Sequence, residues 1–224
     1  MVIGYAVAAG TLSLGFSWVS EKIAATHLTG EPFSWRNAPN LKRLLWLIGG
    51  NLAAWLGCLW LHPDTPLAAL LWCAGLNVLF WIAVEDGKTK QISNGYLFAL
   101  LGLAVAATVA DTATPWVLHL IGGMVGYVPL FLLRLLGEAA KKQEVLGAGD
   151  VYVSGILGLA LGVQHFLLCG MVATLAALIA IRILRRKKQY DKAHTYPFSP
   201  FFLLGYIVAI LCGSLLFGGV VIQF

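Results

Sequence analysis

Charge is what this chain has least of. Only 11 % of its 224 residues are Asp, Glu, Lys or Arg, against 59 % hydrophobic residues. Soluble domains carry about a quarter charged residues, so the chain lacks the polar surface to cover a soluble globule. The same shortage excludes a disordered chain, which needs low hydrophobicity and high charge, and a long coiled coil with charged flanks. Cysteine is also sparse. Cys58, Cys73, Cys169 and Cys212 lie far apart in apolar runs. No CxxC pair exists, which excludes a disulfide scaffold, a zinc knuckle and a thioredoxin-like site. The four read as small core residues. Long polar stretches are missing too. The longest, 21–43 and 184–200, are too short for a core of their own. The first apolar run has no basic start, so no cleaved signal peptide is expected. No convergent metal ligands stand out, and no cofactor is expected.

What is there is apolar helix. Mean hydropathy is +0.83, and the class that fits is an all-α, polytopic helical membrane protein. A spanning helix needs about 20 mostly apolar residues. Eight candidate spans follow: 2–20, 44–62, 67–86, 95–112, 117–135, 147–164, 166–183 and 201–222. They form a single membrane domain, with an amino-terminal two-helix part over 1–66 and a core over 67–224. Residues 63–66 and 111–115 break neighbouring spans sharply, and 162–165 more weakly. Pro129 predicts a kink in the fifth span. Gly122 and Gly126 have the spacing of close helix packing. The eight tryptophans read as interface anchors and bilayer-facing bulk.

The charges fix an orientation. All fifteen Lys and Arg fall in the stretches 21–43, 87–94, 134–146 and 182–200, and none in 62–66, 111–116 or 163–166. Alternate loops therefore take every positive charge, which places the basic loops in the cytoplasm and both termini outside. Orientation accounts for the net charge of +5 without nucleic acid as a partner. Membrane lipids are the expected neighbours of these cations.

Acidic residues are costly in a bilayer and mark function by default. Glu21, Glu31, Glu138, Glu144 and Asp191 fall in the basic loops and are expected in water. Asp64 and Asp111 sit in the opposite turns, where turn formation explains them. Glu85, Asp86 and Asp150 remain, at span ends on the cytoplasmic side. The third span reaches full length only if it runs to Asp86. The sixth must begin near Leu146 or Gly147, which puts Asp150 about 5 Å inside its start. Two carboxylates thus arrive at one membrane face. Close carboxylates tend to share one proton, and the ionised and protonated members can then serve as base and acid. The competing reading of each is a helix-end carboxylate among headgroups or beside a lysine.

Local motifs favour the pair. Asp150 closes Gly147-Ala148-Gly149-Asp150, a GxGD. Asp86 is followed by Ile92-Ser93-Asn94. Ahead of the last span stands Pro197-Phe198-Ser199-Pro200-Phe201-Phe202. In this order and topology the blocks resemble type IV prepilin peptidases, membrane aspartic proteases of the GxGD type. The resemblance covers roughly residues 67 to 216, and Glu144 and Leu161-Gly162 also fit it. It implies catalysis by Asp86 and Asp150, with Glu85, Gly147, Gly149, Asn94, Pro197 and Phe198 at the substrate. It also implies a substrate: a prepilin or pseudopilin whose basic leader is cut from an apolar helix at the inner membrane's cytoplasmic face. Presenilin-like proteases share GxGD, but the Tyr-Asp and Pro-Ala-Leu blocks of that branch are missing here.

The chain departs from the family pattern in places. Ser93 stands for a proline, Tyr152 for a lysine and Ser199 for a glycine. Stretch 21–43 occupies the place of an insert with two CxxC pairs that is linked to N-methylation. It holds no cysteine, so a peptidase without methyltransferase activity is expected. Two other classes compete. A small proton- or cation-coupled transporter would use Asp86 and Asp150 as a relay, and would need polar groups through the full depth. An inactive scaffold would depend on neither aspartate.

Overall fold

The computed structural model describes residues 2–29, 39–141, 146–186 and 197–217. Glu31, Glu144, Asp191 and parts of three basic loops lie outside the described residues. The described chain forms seven helices: α1 (Val2–Thr29), α2 (Leu41–Leu61), α3 (Pro66–Thr89), α4 (Asn94–Ala110), α5 (Trp116–Lys141), α6 (Ala148–Arg186) and α7 (Ser199–Phe217). Their ends follow local chemistry. The Asn40 side chain accepts the Arg43 N–H and caps α2. Pro66 opens α3 at a first-turn position, where the missing N–H costs nothing.

α1 runs well past residue 20, which corrects the expected loop at 21–43. Glu21 is not in water. It is helical and only 1 % exposed, and it accepts the Asn40 N–H at 3.0 Å with the Arg43 guanidinium 3.7 Å away. The cause is a small polar face on α1. The Ser17 hydroxyl accepts from Asn51 Nδ2 at 2.8 Å, and Ser20 Oγ accepts from Trp81 Nε1 at 2.8 Å. These contacts bind α1 to α2 and α3, and Glu21 continues the same face.

The expected spans 147–164 and 166–183 both fall within α6, on either side of a break. Gly162 interrupts α6 with φ 70 and ψ 166. Before it, Ser154 donates to the Gly126 carbonyl of α5 at 2.9 Å. After it, Phe166 returns to that same Gly126. Twelve helical residues in line would separate Ser154 and Phe166 by about 18 Å, so the chain doubles back at Gly162. The second arm then runs along α7, with His165 beside Gly213 and Cys169 beside Gly205.

Among the described residues, four helices are long and apolar enough to cross a membrane: Leu41–Leu61, Pro66–Thr89, Trp116–Ala139 and Ala148–Arg186. α4 and the Ser199–Gly213 part of α7 are shorter apolar helices. α3 and the first arm of α6 are largely buried, whereas α2, α5 and the second arm of α6 present many exposed residues. The exposed surface is apolar. Leu167, Met171, Leu175 and Ile179 form an outward stripe on α6, at the spacing of one helix face. A surface of this kind belongs against lipid. Two tryptophans correct the expectation of interface anchors. Trp55 and Trp72 are core residues, and Trp72 Nε1 donates to the Ala160 carbonyl at 2.9 Å. Trp46, Trp60 and Trp116 are exposed.

Candidate active site

Asp86 lies in the last turn of α3 and Asp150 in the first turn of α6. α3 packs against α4 and α7, and α6 packs against α4, α5 and α7. That packing brings both carboxylates to one end of the bundle. Both are buried, Asp86 at 5 % and Asp150 at 8 % exposure. They line one cavity of about 510 Å³. Gly147, Gly149, Asn94 and Pro197 share its wall, with Ile92, Tyr152 and Lys90.

Two of the named residues are placed differently. Glu85 turns to the α3–α4 connection, where its Oε2 accepts the Ser93 N–H at 2.9 Å. A proline at 93 would have no N–H to give, so this bond exists because the chain departs from the family pattern there. Phe198 packs on the core, its ring 4.9 Å from that of Phe202, and is not among the residues lining the cavity.

The turn after Asp86 is set by Lys90, not by Gly87. Gly87 is helical, with open space where a side chain would stand. α3 ends instead at Lys90, which is left-handed with φ 56 and ψ 26 and returns its N–H to the Asp86 carbonyl. Thr89 secures this end, its hydroxyl 3.0 Å from the Glu85 carbonyl. The chain can then bring Ile92 across to Gly149. A Cβ on Gly149 would stand 2.8 Å from Ile92 Cδ1 and 3.1 Å from its Cβ. The two aspartate blocks therefore pack closely, with the Ile92 side chain seated against Gly149.

Ser199 is the residue that sequence reasoning missed. It was visible only as a departure from a glycine. It is fully buried and lies against both acids. Its backbone N–H donates to Asp86 Oδ2 at 3.3 Å, and its hydroxyl lies 3.3 Å from Asp150 Oδ1.

At the opposite end, Asp111 accepts the N–H groups of Ala113 and Thr114 at 3.0 and 3.2 Å. This is the expected turn, joined by His119 at 3.3 Å. Deeper polar groups are already partnered. Asn77 Nδ2 donates to the Cys73 carbonyl of its own helix at 2.9 Å and Asn77 Oδ1 accepts from the Ser20 hydroxyl of α1 at 3.4 Å, while Asn51 holds Ser17. Among the described residues, no cluster of three metal-ligating side chains occurs.

The cavity can therefore hold a polar group against two buried carboxylates, beside an apolar wall. A sequence model of the type IV leader peptidase family matches residues 73–184, a range that includes both aspartates and spans half of the chain. The prepilin leader peptidase/N-methyltransferase of Dickeya chrysanthemi is 27 % identical over 201 residues, which cover 88 % of this chain and 68 % of that protein. The protein of the same name from Pectobacterium carotovorum subsp. carotovorum is 28 % identical over 155 residues, 69 % of this chain and 54 % of its own length. That from Klebsiella pneumoniae is 27 % identical over 151 residues, 67 % of this chain and 61 % of its own. The chain thus spans about half to two thirds of the length of these relatives. No solved structure matches it. With the family match falling on the stretch that carries both aspartates, this chain belongs to the type IV leader peptidase family, a family of proteases.

Proposed function

We propose that the chain is a membrane aspartic endopeptidase that removes the basic leader from type IV prepilins or pseudopilins at the cytoplasmic face of the inner membrane. The observation that carries this reading is the burial of Asp86 and Asp150 in one cavity. Two close carboxylates cannot both ionise cheaply. With one proton between them, the ionised member takes a proton from water, and the water oxygen attacks the peptide carbonyl. The protonated member donates to the carbonyl oxygen as charge develops there. The proton taken from water can then pass to the leaving amine. Low dielectric near the bilayer strengthens each of these interactions.

Orientation rests on the basic loops. With those in the cytoplasm and both arms of α6 crossing, the chain has eight spans and both termini outside. The substrate's apolar helix lies in the bilayer with its leader at the cavity. Asn94, Gly147, Gly149 and Pro197 form the wall around the cleaved bond, and Phe198 supports the wall from the core. Glu85 acts on substrate through the connection it holds. No cysteine stands in 21–43, so the activity is peptidase alone, needing no metal or other cofactor. The test is incubation of the detergent-purified chain with a prepilin, read by mass. One cut between leader and helix is expected. An intact prepilin, with the chain folded, would refute the reading.

A further inference from the structure

Two donors of one residue face two acids. The Ser199 N–H belongs to the start of α7, a 19-residue helix, and no partner within the helix exists for such a group. It meets Asp86 Oδ2 at 3.3 Å. A backbone N–H only donates, so this oxygen of Asp86 is held as an acceptor. The hydroxyl stands 3.3 Å from Asp150 Oδ1 and can turn its hydrogen to suit. Ser199 is fully buried, so water does not replace either contact. Its neighbours fix it further: Phe201 returns its N–H to the Phe198 carbonyl at 3.0 Å, and the Phe198 ring stacks edge-on with Phe202.

We propose that Ser199 is a positioning residue that holds the two carboxylates in register and sets how they share a proton, its backbone restraining Asp86 and its hydroxyl stabilising ionised Asp150. The proposal rests on the peptidase reading for its link to catalysis, but the placement of the proton is a property of the resting protein. Asp150 then gains a donor that only a hydroxyl at 199 supplies. Ser199→Ala removes that donor and keeps the N–H on Asp86. Loss of a donor to a carboxylate favours its protonated form.

The experiment is an infrared pH titration of the protonated-carboxyl band in the purified full chain without substrate, with Asp150→Asn identifying the band that belongs to Asp150. Ser199→Ala is expected to carry that band about 0.5 pH unit higher, a change of about threefold in proton affinity. Ser199→Thr, which keeps the hydroxyl, is expected to restore it. Prepilin cleavage by the same samples should show kcat lowered about three- to tenfold, KM within twofold, and the pH–rate profile moved the same way. An unmoved band in Ser199→Ala overturns the proposal, even if cleavage falls, because a merely structural role lowers rate without moving the titration. A band that moves in Ser199→Ala but is not restored by threonine overturns the role of the hydroxyl. If wild-type chain cleaves nothing and the band still moves, the peptidase reading fails while the control of Asp150 by Ser199 stands.

Discussion

Glu85 and Asp86 are adjacent, and one helical step gives them different work. Asp86 points to the cavity, whereas Glu85 holds the Ser93 N–H. Glutamine keeps an acceptor oxygen at 85 and alanine keeps none. Glu85→Gln is therefore expected to retain prepilin cleavage within about threefold, and Glu85→Ala to lose up to about tenfold as the connection loosens; a hydrogen bond of this exposed kind contributes about 0.5–1.5 kcal/mol. Steady-state rates of both variants check this. Equal loss in the two would mean that the charge of Glu85 itself acts on the substrate. Six of the twelve residues lining the cavity are legible in the sequence at this scale. Gly147, Gly149, Asn94 and Pro197 were named with both aspartates, because motifs mark chemistry directly. Sequence reasoning missed Ser199 because a buried serine bridging two acids has no spacing signature. Only the packing of α7 against α3 and α6 creates it. Glu21 was misread for a related reason. Its burial depends on partners, Asn40 and Arg43, that meet it only when α1 and α2 pair.

Helices were legible from apolar runs, and their ends less so. The break at Gly162 was readable as a weak one, and its strength lies in a backbone conformation that composition does not display. With φ 70 and ψ 166, Gly162 sits where essentially only glycine is found. Gly162→Ala is expected to cost about 1–3 kcal/mol of stability, read as a lower midpoint of thermal unfolding in detergent. The α5–α6 pairing makes a matching demand. Gly122 and Gly158 seat on each other's backbone, so a side chain at either must push the helices apart. Gly122→Val is expected to destabilise by at least the 1–3 kcal/mol typical of overpacking. Gly149→Val acts elsewhere. Its side chain displaces Ile92 at the cavity wall, so activity should fall more than thermal stability. Parallel melts and cleavage assays separate the two effects; a melt that falls while cleavage per folded molecule holds would contradict this account of Gly149.

At the scale of the whole molecule, an oily chain whose basic residues gather in four alternating stretches of the sequence reads as a membrane protein by composition. The exposed apolar faces of α2, α5 and α6 follow from that. The reversal within α6 brings its second arm alongside α7, whose first residue lies between the two acids. The stretch at 21–43 carries no cysteine. Mature pilin produced by this chain with S-adenosylmethionine present is therefore expected to gain no methyl group. A mass increase of one methyl on its first residue, dependent on this chain, would contradict that. The central claim is that Asp86 and Asp150 act as one acid–base pair. The direct measurement is the rate of prepilin cleavage by purified Asp86→Asn and Asp150→Asn, each verified as folded by thermal melting, against wild type. Each variant alone should lose at least about a hundredfold, because one carboxylate cannot be acid and base together. Near wild-type turnover by either folded variant would contradict the claim.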